Sequence, residues 1–418
     1  MLKITLKRQE NFIGRKTILT GSRKQKASFG RFLEFRMKTY RILSAVCVFW
    51  FIFLCFFHYF SQRPLWGDER FILNNMENQS YLKIFGPLKD SQAFPRVYLS
   101  LIKLWAETFG YVVLSLRFFP LIAMLLAFFA WKKIYQKALP SGMYSLALFS
   151  LSSVYCFSYY AAELKQYSLD VLIAALFCLY LGYQSQLTTK EFSMPFILAT
   201  LLLPFTLFLS YAGFLFFWIV SYNFFLAGLK NKKAVCLFIA YALLSVSAVI
   251  TVYFIDLRHN LSAAGLFSYW NDYFISTESW YAFLKSFGDG VRKIATWWFG
   301  NTDFLKRAAS FLIPFFIISL FTFGFKALKA SRLKVWDIDA LGLVIFLELL
   351  ALGILKKYPF TGERIILFFA PFVFYYIIRG IYSLRRLRFI YFFFLVSYMA
   401  LVLGSAVNSF VSFTKLYN

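Results

Sequence analysis

Stretch after stretch of this chain runs roughly 18–25 residues almost without charge, the length that crosses a bilayer core as helix. In lipid every backbone N–H and C=O must be paired inside the protein, which leaves helices and closed barrels as the spanning forms. Soluble domains interleave charge far more often. With 418 residues, 60% of them hydrophobic, and a mean hydropathy of +0.64, the chain reads as one integral membrane domain. The expected fold class is therefore all-α and polytopic, with about eleven transmembrane helices. Their approximate spans are 42–60, 111–131, 143–160, 166–184, 193–210, 212–229, 234–255, 308–327, 339–355, 365–381 and 389–408.

A net charge of +26 raises the question of nucleic acid. The distribution of charge argues against it. Basic residues fill the tail 1–41, which holds about a dozen Lys and Arg against Glu10 and Glu34 only. They recur at Lys132, Lys133 and Lys137, at Lys190, at Lys230 with Lys232 and Lys233, from Lys326 to Lys334, and from Arg379 to Arg388. All of these fall on one side of an eleven-span count, and the linker 185–192 on that side is nearly neutral. That is the positive-inside pattern, which places the N-terminus in the cytoplasm of a plasma, or inner, membrane. The tail is expected to be unstructured and drawn to anionic lipid. Translation starting at Met1 and at Met37 both remain open. The domain reading is a basic tail over 1–41 and a transmembrane domain over 42–418.

The opposite side holds the long stretches 61–110 and 256–307, with short links at 160–165 and 356–364. Phe283, Phe287, Val291 and Ile294 approximate helical spacing, and Trp270, Trp280, Trp297 and Trp298 suit the headgroup zone, so interfacial helices are expected there. The sequons at Asn78 and Asn260 are taken as unmodified. Five cysteines, Cys47, Cys55, Cys156, Cys178 and Cys236, all lie inside apolar runs and read as small hydrophobes. Two histidines, His58 and His259, stand far apart, so a histidine metal centre is not expected. A divalent cation is left open, with no ligand cluster evident.

Four clusters on this outer side can carry chemistry. Asp68-Glu69 follows the first span. Glu163-Leu164-Lys165-Gln166-Tyr167 joins two spans through hardly any loop. Lys356-Lys357-Tyr358-Pro359 is followed by Gly362-Glu363-Arg364, and Arg96 precedes the second span, with Arg117 slightly inside it. Asp170, Arg117 and Glu348 lie at membrane depth, where ionisable groups face a cavity or each other. Arg117 and Glu348 read equally as buried ion-pair partners. A carboxylate can take a proton from an attacking hydroxyl, and Arg or Lys can hold a phosphate. Together they suit group transfer from a lipid-linked phosphate.

These residues resemble the polytopic C-type (GT-C) glycosyltransferases, which include protein O-mannosyltransferases and the aminoarabinose transferases of lipid A. The likeness rests on Trp66-Gly67-Asp68-Glu69 after the first span and on Phe94-Pro95-Arg96-Val97-Tyr98-Leu99, where Arg96 replaces the second proline of the family pattern. Leu116-Arg117-Phe118-Phe119-Pro120, Tyr160 to Asp170 in the form Tyr-x-x-Glu-x-Lys-x-Tyr-x-x-Asp, and Tyr358-Pro359-Phe360-Thr361-Gly362-Glu363-Arg364 complete it. The resemblance implies that Asp68 is the base, supported by Glu69, with Glu163 beside it. It implies that Lys165 and Arg364 hold the donor phosphate, and that Arg96, Tyr167, Lys357 and Arg117 are further substrate contacts. It implies a polyprenyl-phosphate sugar donor, a lipid, glycan or protein acceptor, surrounding membrane lipids, no nucleic acid, and an active site on the periplasmic face of a bacterial cell. The competing readings are a lipid-linked sugar flippase or transporter, a polysaccharide polymerase or ligase, and a non-enzymatic scaffold.

Overall fold

The computed structural model describes residues 23–184, 193–229, 232–261, 269–300, 302–331, 335 and 337–415. The expected features at 1–22, at Lys190, Lys230, Arg332 and Lys334, and within 262–268 lie outside the described residues. The rest is helix and connecting turn, with no strand among the described residues. The helices are α1 (Arg23–Phe60), α2 (Gly67–Asn74), α3 (Arg96–Phe109), α4 (Val113–Ala138), α5 (Ser141–Ser153), α6 (Tyr155–Tyr160), α7 (Tyr167–Gln184) and α8 (Met194–Leu202). They continue as α9 (Phe214–Gly228), α10 (Lys232–Val252), α11 (Trp280–Thr296), α12 (Ile313–Ala330), α13 (Ile338–Ile354), α14 (Ala370–Ser383) and α15 (Arg388–Lys415). Shorter turns join them.

Eight helices among the described residues are long and apolar enough to cross a membrane: Thr39–Phe60, Val113–Ala138, Tyr167–Gln184, Tyr211–Gly228, Lys233–Leu257, Asp303–Ala330, Leu367–Arg386 and Arg388–Ser409. The chain is an all-α, multi-pass membrane protein. The other three expected spans are helical but shorter or broken. At 143–160 the helix stops at Val154, whose ψ of 130° is extended, and Tyr155 N–H donates to Ser405 Oγ at 3.1 Å instead. At 193–210 the α-helix gives way after Leu202 to tighter 3₁₀ turns carrying Pro204. The third, α13, has 17 residues. Hydropathy registers apolar character but not these breaks. Residues 23–41, expected within the unstructured tail, continue α1 as helix; Lys and Arg are good helix formers and extend the span.

α4 packs along α7, α9 along α10, α1 along α5, and α12 sits between α13 and α14. Gly380 permits the last contact, because a Cβ there would lie 2.6 Å from Ser319 Oγ and 2.8 Å from the Phe315 carbonyl oxygen. Large apolar side chains such as Phe49 (73% exposed), Leu243 and Ile318 (64% each) point outward. Exposure of that kind along spanning helices marks the lipid-facing surface. Cys47, Cys55 and Cys156 are buried, Cys178 is half-buried, Cys236 is exposed, and none forms a disulfide.

The 61–110 segment has its own small core. Ile72, Met76, Ile84, Phe94, Tyr98, Leu99 and Ile102 bury against one another and against Leu116 and Leu164. Full burial of each is worth about 1.5–3 kcal/mol relative to exposure. This core fixes α2 and α3 on the bundle and brings the first acids of the chain against the link between α6 and α7.

Candidate active site

Asp68 and Glu69 stand side by side in the first turn of α2. Successive residues on a helix point about 100° apart, so the two carboxylates meet different surroundings. Glu69 turns inward and is fully buried. Its Oε1 accepts from Arg117 Nε at 2.9 Å and from the Leu164 N–H at 2.7 Å. Its Oε2 accepts from Arg117 Nη2 at 2.7 Å and from the Trp66 N–H at 3.4 Å. Arg117, also fully buried, donates through Nη1 to the Arg63 carbonyl at 2.9 Å. The pair is bidentate, and it locks α2, α4 and the 161–166 link together.

Asp68 turns the other way and keeps about a quarter of its side chain exposed, where Oδ2 accepts from Arg364 Nη1 at 2.5 Å. Gly362, at φ +131°, takes the chain through a turn that other residues rarely adopt, and a Cβ there would come within 3.3 Å of the Trp270 ring. That turn delivers Arg364, whose Nη2 donates to Tyr269 Oη at 3.1 Å and whose guanidinium lies 5.0 Å from the Trp66 ring centroid.

Glu163 and Lys165 come from the tight link between α6 and α7, where the Lys165 N–H donates to the Glu163 carbonyl at 2.7 Å. Glu163 is buried, its nearest cation is Arg63 Nη2 at 3.8 Å, and neither carboxylate oxygen has a hydrogen-bond partner among the described residues. Burial, with the negative Glu69 adding to it, pushes the Glu163 carboxyl up to about 7, against the pull of Arg63, Arg364 and Lys165. Lys165 donates through Nζ to Gln92 Oε1 at 2.7 Å. Burial lowers its ammonium to about 8, while Asp68 and Glu163 resist the fall. Glu363, half-buried beside Arg364, is raised by burial to about 7.

The structure thus gathers Asp68, Glu69, Glu163, Lys165 and Arg364, and each acts electrostatically on others of the set. Tyr167 adjoins them: the charges of Arg364, Glu163 and Asp68 reach its hydroxyl, and its ring meets Tyr160 edge-on at 5.5 Å. Arg117 stands behind the cluster, paired with Glu69. Arg96 is elsewhere, buried against Asp256 at 3.4 Å, and Asp256 also accepts from Tyr211 Oη at 2.6 Å. Lys357 is exposed, with no side-chain contact to the cluster among the described residues. Glu348, read as a buried ion-pair candidate, has no ion pair among the described residues.

Sequence reasoning passed over Arg63, whose guanidinium lies 3.7 Å from the Tyr159 ring centroid and beside Glu163. Directly after a span it reads as an interfacial anchor. It also passed over Asp256, held in a π-helical turn over Tyr253–Leu257, a distortion frequent at functional sites. Gln92 and Tyr269 carried no signal. Among the described residues no group of three or more His, Cys, Asp or Glu comes together to hold a metal ion.

No protein-family model matches the chain, and no curated protein matches it. Two solved structures do. The first is an oligosaccharyltransferase from Archaeoglobus fulgidus in complex with Zn and sulfate. It is 13% identical with a TM-score of 0.53, over 88% of this chain and 52% of that one. The second is the archaeal oligosaccharyltransferase AglB from Archaeoglobus fulgidus, in complex with an inhibitory peptide and a dolichol-phosphate. It is 12% identical with a TM-score of 0.55, over 91% of this chain and 56% of that one. The chain spans about half the length of these neighbours. The chain shares the fold of these two oligosaccharyltransferases, in keeping with the fold that the resemblance to C-type glycosyltransferases implied.

Proposed function

We propose that the protein is a membrane glycosyltransferase that moves a sugar from a polyprenyl-phosphate donor to an acceptor at the outer face of the membrane. The observation that carries this reading is the partly open Asp68 carboxylate, held at 2.5 Å by Arg364 and ringed by Lys165 and by Glu163, whose carboxylate has no hydrogen bond among the described residues. The likeness in fold to a protein whose structure holds a dolichol-phosphate supports the donor class.

In this reading the acceptor hydroxyl or amine attacks the anomeric carbon from the face opposite the phosphate. The new bond to carbon forms as the carbon–oxygen bond to phosphate breaks. The electron pair of the broken bond leaves with polyprenyl phosphate, and the acceptor proton passes to Asp68. Phosphate is a good leaving group, so one base and a cationic clamp suffice. Arg364 has five N–H donors; it holds Asp68 with one and keeps others for phosphate oxygens. Lys165 adds a second charge. Glu69, with its lone pairs already engaged, serves as a strut rather than a reactant.

The test is transfer of radiolabelled sugar from polyprenyl phosphate by purified protein, using cell-envelope glycans, lipids and proteins as acceptors. Transfer, or slow donor hydrolysis to water, supports an enzyme. Movement of intact donor between leaflets of a vesicle, without cleavage, would point to a flippase. Orientation is read by placing a cysteine at exposed Arg70 in a cysteine-free background and labelling with a membrane-impermeant reagent. Labelling in intact cells is expected.

A further inference from the structure

Beside the cluster lies an open groove of about 320 Å³ between residues 271–278 and α11, floored by Phe360 and Thr361. Two of the segments that line it also lead into the candidate active site. The N–H groups of Phe360 and Thr361 donate to the Tyr273 carbonyl at 3.0 and 3.2 Å. Three residues beyond Thr361 comes Arg364, and four before Tyr273 comes Tyr269, which accepts from Arg364. One pair of crossed segments therefore has the groove at one end and the Asp68–Arg364 contact at the other.

Three carboxylates and three ammonium groups line it: Asp272, Glu278 and Asp289 against Lys285, Lys293 and Lys356. A lipid chain there would leave six charges facing hydrocarbon. A phosphate would meet the three carboxylates. Sugar hydroxyls both donate and accept, and interleaved charges of both signs, with the Ser276 and Ser286 hydroxyls among them, suit such groups. The volume is at the small end for ligand sites, about 300–1,000 Å³, which fits one or two sugar rings. On α11 the groove face, through Ala282, Lys285 and Asp289, is distinct from the exposed apolar positions Trp280, Tyr281 and Leu284. Those three suit the headgroup zone and would hold the groove at the membrane surface.

Resting on the glycosyltransferase reading above, we infer that this groove is the subsite for the carbohydrate portion of a glycan acceptor. Binding is tested without turnover. Saturation-transfer NMR is run on the detergent-solubilised full chain with free maltose and free chitobiose, and with a short unglycosylated peptide of mixed charge. Saturation of at least one disaccharide is expected. Ala282→Trp, which fills the groove from α11, should weaken it by about tenfold or more. The double change Asp272→Ala with Glu278→Ala, at two exposed positions, should weaken it too and keeps the test alive if Ala282→Trp fails to fold.

In the transfer assay these variants should raise the acceptor KM by about tenfold with donor hydrolysis to water unchanged. Binding of neither disaccharide, binding of the peptide in their place, or equal binding in wild type and variants would overturn the inference. If wild type neither transfers nor hydrolyses donor, the enzyme reading fails, and the NMR result still decides whether the groove takes sugar.

Discussion

The 61–110 and 256–307 segments are both long, aromatic and rich in charge, yet they are built in opposite ways. The first folds over its own core and buries one ion pair completely: Glu69 and Arg117 meet at 2.7 Å with no exposed side-chain surface. The second, beyond Asp256, which is buried against Arg96, carries an ion pair at the surface: Asp289 and Arg292 are 3.4 Å apart and half exposed, beside an open groove. The same residue types thus make a fixed frame in one place and an adaptable surface in the other. What differs is burial. A charge pair in a dry site is held by its whole surroundings, and removing one partner leaves the other stranded. A surface pair is screened by water and salt. Chemistry needs the first kind of setting, because reacting atoms must be fixed closely. Recognition of a hydrated glycan tolerates the second.

The sharpest way to break this contrast is to remove one acid from each segment. Glu69→Ala leaves Arg117 buried and unpaired, and is expected to lose about 3–5 kcal/mol of stability. Asp289→Ala should lose less than about 1 kcal/mol. Denaturation of the detergent-solubilised variants by heat or denaturant measures both. Similar losses at the two positions would remove the distinction. Next in size is Arg364. Charged hydrogen bonds are worth about 1.5–3 kcal/mol, so Arg364→Ala should weaken donor binding by about 10- to 150-fold. Arg364→Lys keeps the charge without the planar fork and should fall between. Titration with a non-hydrolysable polyprenyl-phosphate sugar reads this series, and equal affinity in all three proteins would refute a phosphate contact.

The smallest effect is on pH dependence. If turnover needs the Glu163 carboxylate and the Lys165 ammonium, kcat/KM should rise through about 7 and fall through about 8. The stability signs run against activity. Glu163, raised in the fold, contributes stability that is present below its ordinary 4.5 and lost as pH rises through about 7. Lys165, lowered in the fold, contributes stability that is present above its ordinary 10.5 and lost as pH falls through about 8. The window in which both are charged is therefore the one these two groups stabilise least. Glu163→Gln should lose the acid limb and shift the alkaline limb below 8, since the ammonium loses a negative neighbour. A rate profile of residual activity checks this, and an unchanged profile would assign the limbs to other groups.

Much of the architecture was legible because a lipid-facing helix declares itself in consecutive residues. The breaks at Val154 and after Leu202 did not, since they depend on partners such as Ser405 far along the chain. At the site, sequence order placed Asp68, Glu163 and Arg364 between spans, and they do come together in the fold. Order alone could not tell Asp68 from Glu69, and only the resemblance gave them different roles. The difference lies in Arg117, 48 positions away, which takes one carboxylate and not the other. In the same way the partner of Arg96 is Asp256, 160 positions on. Arg63 was missed because a basic residue after a span has an ordinary explanation. Only its distance to Glu163 gives it another.

The central claim is that Asp68 takes the acceptor proton in sugar transfer. Asp68→Asn keeps the shape and an oxygen to accept from Arg364, but removes the base. Transfer of radiolabelled sugar from polyprenyl phosphate should fall at least about a hundredfold, the low end for loss of a general base, with thermal stability and donor binding retained. Near-normal transfer by Asp68→Asn would contradict the account and move the base to Glu163.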